Sequence, residues 1–232
     1  REGVRLIISD HRKNRFLSDE EHERIEGIGD DELWKVYARG LTGMIQGLVL
    51  TNWDICDALP PMEEWKMSCY GLDFGFTNDP TALEHVVLAH GELWVDDEFY
   101  ETGMTNPDIA ARAKDAGLGR GDIIIADSAE PKSVGDYNKF GLRCYGAEKG
   151  PGSVEYSMKW LQQLSKIVID PVRCPDTKKE FSSYEYERDK DGELISGYPD
   201  KNNHHIDAVR YGTELIWRKP GQPVTSKYVS RF

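Results

Sequence analysis

Residues 122–127 read Asp-Ile-Ile-Ile-Ala-Asp. A short, near-continuous apolar run of this kind predicts a strand covered on both faces, at the centre of a sheet. A chain with such a strand must supply helices for both faces, which directs it to an α/β architecture. The run ends on Asp127, and a carboxylate at the carboxyl end of a buried strand falls where α/β sheets keep their site crevices.

Two further aspartates share that promise. Asp73 closes the strand-like run SCYGLD and is followed by Phe74 and Gly75; a glycine there leaves room for a backbone or phosphate to come close. Asp207 lies in NNHHIDAVRYG, one turn into an expected helix. At about 100° per residue His204 shares its face, whereas His205 points away and reads as a bystander. Gathered carboxylates repel one another unless a cation neutralises them. Strand ends that supply such a cluster indicate a hard divalent metal, ligated by oxygen, for hydrolysis of an anionic substrate. Glu130, just ahead of Pro131, is a candidate supporting ligand or a charge at a helix start. Asp79, in TNDPT, reads first as an Asx-Pro turn and second as a supporting group.

The rest of the chain fits an α/β frame from about Lys66. Strands are expected at 67–76, 82–90 and 92–101, with Gly91 marking a hairpin between the second and third. Helices at 106–117, near 131–141 and at 154–166 alternate with strands at 122–127, 142–147 and 167–170. A polar region with a turn at 189–193 precedes a last helix at 204–219. A hairpin leading into strand–helix alternation predicts a mixed sheet flanked by helices. Residues 1–65 hold a strand-like run at 4–9, a cap-like Ser18 before a charged helix, and an amphipathic helix at 30–40. This stretch has too few apolar residues for a core of its own and reads as the trailing edge of a larger upstream unit or as a linker packed on the main domain. Residues 66–219 form the main domain, and the Pro/Gly/Ser-rich residues 220–232 a flexible tail.

Composition narrows the function classes. The formal net charge is −12, so strong stand-alone affinity for DNA is not expected, because phosphate neutralisation supplies most of such affinity. Four cysteines without a C-x-x-C pair or zinc spacing fit incidental thiols in a reducing compartment. No apolar stretch approaches transmembrane length.

The runs YGLDFGFTNDPTA, IIADSAEPKS and NNHHIDAVRYG, in that order and spacing, resemble the nuclease domain of the large terminase subunit of tailed double-stranded DNA bacteriophages, of the headful-packaging type. The resemblance covers roughly residues 66–218, and FLSDEEHERI…WKVYARGLTG…NWD is similar to the stretch joining that family's ATPase motor to its nuclease. It implies a ribonuclease-H-like fold, shared with integrases and resolvases. It also implies a metal-dependent endonuclease that cuts concatemeric double-stranded viral DNA with Mg²⁺ or Mn²⁺, two ions in catalysis. Asp73, Asp127 and Asp207 would hold the metal, with His204 beside them. Lys132, Arg143, Lys149 and Arg210, with Lys178 and Lys179, are candidate phosphate contacts. Implied partners are an ATPase domain of the same polypeptide, the portal protein and the small terminase subunit, in the cytoplasm of an infected bacterial host and not at a membrane. The sequence has no G-x-x-x-x-G-K-[ST] loop, so the motor half is expected to lie outside it. The alternatives are a Holliday-junction resolvase or RNase H-type nuclease, and a non-catalytic module that docks on the portal or small subunit.

Overall fold

The computed structural model of the chain describes residues 10–27, 38–39, 47–75, 79–190, 192, 194–195 and 197–217. The chain divides into two compact units, Arg1–Leu48 and Val49–Phe232. In the first, helix α1 (Asp19–Glu26) begins at Ser18, as its sequence indicates. Ser18 Oγ accepts the Glu21 N–H at 3.3 Å, and the Glu21 carboxylate accepts the Ser18 N–H at 2.9 Å. The reciprocal pair satisfies two donors that a helix start otherwise leaves unpaired. The strand expected at 4–9, most of the helix expected at 30–40, and the tail at 220–232 lie outside the described residues.

In the second unit, strands β1 (Trp53–Ile55), β2 (Trp65–Asp73), β3 (Thr81–Ala89), β4 (Glu92–Glu101), β5 (Ile123–Ala126), β6 (Arg143–Gly146) and β7 (Ile167–Ile169) build one sheet. Their order is β1-β7-β4-β3-β2-β5-β6. β2, β3 and β4 form an antiparallel meander, and the flanking pairs β2–β5, β5–β6, β4–β7 and β1–β7 are parallel. The β3–β4 turn places His90 at φ 53° and Gly91 at φ 80°, the left-handed pair that matches the twist of a tight hairpin. The helices are α2 (Asn106–Asp115), α3 (Pro131–Lys139), α4 (Ser153–Gln163), α5 (Pro175–Ser183), α6 (His204–Gly212) and α7 (Glu214–Trp217). None of the described helices is long and apolar enough to cross a membrane.

Three features depart from the sequence expectation. β5 is interior but stands next to edge strand β6, and the central strand, buried along almost its whole length, is β3. An apolar run reports cover on both faces, which a strand beside the edge also receives. β1 is a strand where none is expected, within the stretch expected to trail an upstream unit or pack on the main domain, and it pairs with β7. α5 falls in the polar region before the last helix, where no element is expected, and only Thr177, Glu180 and Phe181 of it are buried.

Alternation along the strands sorts side chains between two cores. Cys69, Val86 and Ile125 join Leu161, Phe181, Ile206 and Val209 of α4, α5 and α6. Leu72, Leu83 and Ile124 join Ile109 and Tyr137 of α2 and α3. Each large aliphatic buried this way contributes roughly 1.5–3 kcal/mol. Asp73 and Asp127 follow the parity of Gly71 and Ile125, so both belong to the α6 side. There the helix lies directly on the strand: a Cβ on Gly71 would stand 1.7 Å from the Ala208 carbonyl oxygen and 2.5 Å from the Gly212 nitrogen.

Candidate metal centre

Asp73 ends β2 and Asp127 follows β5, and these strands are parallel neighbours with Leu72 opposite Ala126. The Asp127 N–H donates to the Leu72 carbonyl at 2.9 Å, which extends the ladder to the two carboxylates. Helix α6 brings the third side chain. Its first turn crosses the carboxyl ends of these strands, and His204 Nδ1 lies 3.0 Å from Asp73 Oδ2. Asp207, one turn on, bears on the same carboxylate through its charge.

The electrostatics bear the mark of gathered negative charge. Burial pushes the Asp73 carboxyl up to about 6; the His204 hydrogen bond opposes this, and the charges of Asp207 and Asp127 add to it. Burial also raises Asp207, against the Arg210 guanidinium, which hydrogen-bonds its carboxylate, while Asp200 adds to the rise. The hydrogen bond to Asp73 raises His204 in turn. Each aspartate has drawn a different nitrogen partner: His204 for Asp73, Arg210 for Asp207, and Lys149 for Asp127, with Lys149 Nζ 2.5 Å from Asp127 Oδ1. The Ala129 N–H donates to the same Asp127 oxygen at 2.7 Å and fixes the carboxylate's orientation. A cavity of about 390 Å³ adjoins Asp207, with Lys149, Ser157, Tyr198, Asn203 and Tyr211 among its walls.

The remaining sequence candidates separate. Glu130 is exposed at the start of α3, where its carboxylate accepts the Ser133 hydroxyl at 2.6 Å and caps no backbone N–H. Asp79 is exposed but close enough for its charge to raise His204. Lys132, Lys178 and Lys179 are exposed. Arg143 sits opposite Ile123, at the end of β5 remote from Asp127. Arg210 is buried and bonded to Asp207 and, at 2.8 Å, to Ser157 Oγ, so its guanidinium orients a carboxylate instead of facing solvent. Gly75 opens no space for a ligand: a Cβ there would meet the Asp79 and Pro80 carbonyl oxygens at 2.2 and 2.3 Å, and Thr81 Oγ1 donates to its carbonyl at 2.9 Å. The glycine serves the turn that follows β2.

His205 is no bystander. It is buried with Glu84, Thr177 and Glu180, beside the covered Glu98 side chain, on the opposite flank of α6. Among the described residues, the acid and thiol groups whose ligand atoms fall within 4.8 Å of one another are those of Glu84, Glu98 and Cys174. The sequence signal for this cluster is Glu84 itself, a carboxylate inside the largely apolar β3, beside His85.

The family model of the Terminase RNAseH like domain matches residues 73–214, more than half of the chain and all three aspartates. This chain belongs to that family. Among curated terminases, the large subunit of Bacillus phage SPP1 is 38% identical over 158 residues, 65% of this chain and 36% of that protein. The PBSX phage terminase large subunit of Bacillus subtilis (strain 168) is 27% identical over 213 residues, 87% of this chain and 48% of that one. The chain thus spans less than half the length of either terminase. A solved structure of the g2p (large terminase) nuclease domain of bacteriophage SPP1 with bound Mn matches with a TM-score of 0.64 and 34% identity, over 71% of this chain and 96% of that one. A large terminase from a thermophilic bacteriophage shares the fold, at 19% identity and a TM-score of 0.57, over 89% of this chain and 54% of that one. The mixed sheet with flanking helices is therefore the ribonuclease-H-like terminase fold that the motifs imply.

Proposed function

We propose that this chain is the cutting portion of a phage large terminase, a metal-dependent endonuclease that hydrolyses concatemeric double-stranded viral DNA during genome packaging. The single observation that carries the reading is the pair Asp73 and Asp127 at the carboxyl ends of neighbouring strands β2 and β5, with the charge of Asp207 reaching Asp73 from α6, in a chain 34% identical to a terminase nuclease domain solved with bound Mn. The donor set suits such an ion. Carboxylate oxygens favour hard cations of the Mg²⁺ or Mn²⁺ type, and Asp127 now pairs with Lys149, a cation whose place an ion would take. When bound, two such ions would supply an activated water and offset charge on the departing 3′-oxygen.

The side chains have separable tasks in this reading. Asp73, Asp127 and Asp207 hold the ions. His204 orients the Asp73 carboxylate through Nδ1, and Arg210 does the same for Asp207. Lys149, half-exposed beside Asp127, is the cation best placed to meet a phosphate. The ATPase domain of the same polypeptide, the portal and the small terminase subunit are the proposed partners, in the cytoplasm of an infected host cell.

The test is Asp127→Ala in a Mn²⁺-dependent plasmid-nicking assay, with far-UV circular dichroism as the folding control. Loss of nicking in a folded protein is expected. Cleavage at the native rate would sink the proposal.

A further inference from the structure

The antiparallel register of β3 and β4 places Glu84 directly opposite Glu98, and both are buried. Like charges facing each other across a sheet destabilise it, and burial adds a desolvation cost. The surroundings compensate in a specific way. Glu98 accepts the Asp176 and Thr177 N–H groups at 2.9 and 2.7 Å, which places its charge on the positive N-terminus of α5. Glu84 accepts from His205 Nδ1. Thr177 Oγ1 lies 2.9 Å from Glu84, 2.6 Å from Glu98 and 3.2 Å from His205 Nδ1, at the hub of all three. Glu180 accepts the Ile206 N–H at 2.7 Å.

Two consecutive residues of α6, His205 and Ile206, are thus anchored on one flank, while His204 and Asp207 project toward the other aspartates. The glycine contact at Gly71 and Gly212 sets how close α6 lies to β2, but a glycine contact does not by itself fix rotation of a helix about its axis. The anchor does. With side chains ending about 5–6 Å from the axis, a 20° rotation displaces them by roughly 2 Å, whereas metal ligands must be held to about 0.2 Å. His205 Nε2 is buried with no hydrogen-bond partner among the described residues, so the ring is kept there for what Nδ1 does.

We propose that Glu84, Glu98, Thr177, Glu180 and His205 form a positioning network that sets the rotation of α6 and so holds His204 and Asp207 at working distance from Asp73 and Asp127. The network is distinct from the metal ligands, although its purpose rests on the metal-dependent reading above. None of its members touches the reacting atoms.

Thr177 gives the cleanest test, in the full chain. Thr177→Val removes the hub hydroxyl and keeps the shape; Thr177→Ser keeps the hydroxyl. Mn²⁺ binding is measured by calorimetry, and the His204–Asp73 hydrogen bond by the ring ¹⁵N shifts of His204 in metal-free protein. Thr177→Val is expected to weaken Mn²⁺ binding by roughly 10- to 100-fold, the usual loss when a partner behind a ligand is removed, and to move the His204 shifts; Thr177→Ser stays near native in both. Ile109→Val, in the other core, lowers the melting temperature without changing either readout. Should Thr177→Val fail to fold, Glu180→Met, which removes the acceptor for the Ile206 N–H, takes its place. Native Mn²⁺ affinity together with native His204 shifts in a folded Thr177→Val or Glu180→Met protein would overturn the proposal. If the unmodified chain binds no Mn²⁺, the metal reading fails by itself, and the His204 shifts alone decide the positioning claim.

Discussion

Gly71 of β2 and Ala208 of α6 touch backbone to backbone: a methyl group on Gly71 would fall 1.7 Å from the Ala208 carbonyl oxygen. The helix that carries His204 and Asp207 can approach Asp73 only because this position has no side chain. Gly71→Ala cannot be absorbed by a side-chain shift, since the obstacle is main chain. Overpacking commonly costs about 1–3 kcal/mol, and the loss here is expected at or above the top of that range. Urea denaturation of the purified variant measures it. A loss below about 1 kcal/mol would show that α6 can lift from the strand without penalty.

Lys149 stands on Asp127 as a cation would. Its side chain is half-exposed, so water screens the pair, and such pairs contribute on the order of 0.2–1 kcal/mol. Lys149→Ala removes a competitor for the carboxylate. Mn²⁺ affinity measured by calorimetry on DNA-free protein is expected to rise, by at most about five-fold. A fall in affinity would mean that Lys149 helps to shape the site for the ion.

Local pattern carries much of the architecture. Asp127 is legible because a carboxylate ending an apolar strand has few other reasons to be there, and Asp207 with His204 because helical spacing puts both on one face. What stays hidden depends on strand order and on contacts remote in sequence. The position of β5 next to the edge cannot be read from IIIA, since cover on both faces looks the same in either place. Arg210 reads as a phosphate contact because a lone arginine says nothing about its partner. The carboxylate it orients is three residues away on its own helix, and the serine it bonds lies 53 residues earlier, on α4. The Glu84–His205 pair is separated by 121 residues; only the register of β3 against β4 and the seating of α6 bring it about. His205 reads as idle because helical spacing shows only that it faces away from the candidate site, and not what it faces instead.

Glu214, buried at the start of α7, has its carboxyl pushed up to about 7 by burial, although the Glu148 N–H donates to it at 3.0 Å. The unfolded chain releases this proton near the ordinary value of 4.5. Between those two values the folded protein holds a proton that the unfolded one has lost, so this group's contribution to stability is fully present below 4.5 and is lost as the pH rises through about 7. Glu214→Gln, which has no proton to lose, should therefore surrender less stability than the native chain between about pH 5 and about pH 8. Thermal denaturation at the two values provides the comparison. Equal pH dependence in both proteins would place the titration elsewhere.

The net charge of −12 sets the last expectation. Phosphate neutralisation drives most non-specific DNA affinity, with dissociation constants of roughly 10⁻⁴–10⁻⁶ M at physiological salt even for dedicated binders. Here the exposed cations named above are scattered: Lys149 stands beside the aspartates, while Arg143 lies at the opposite end of β5. Duplex DNA is therefore expected to bind no more tightly than that range in Ca²⁺, chosen as an oxygen-ligated ion for the site. Fluorescence anisotropy across a salt series measures both the affinity and the number of phosphates engaged, since the slope of log K against log salt is about −0.9 per neutralised phosphate. A shallow slope of two or three contacts would fit a nuclease that depends on another domain to hold its substrate. A steep slope with nanomolar binding would mean that this chain carries a DNA-gripping surface of its own.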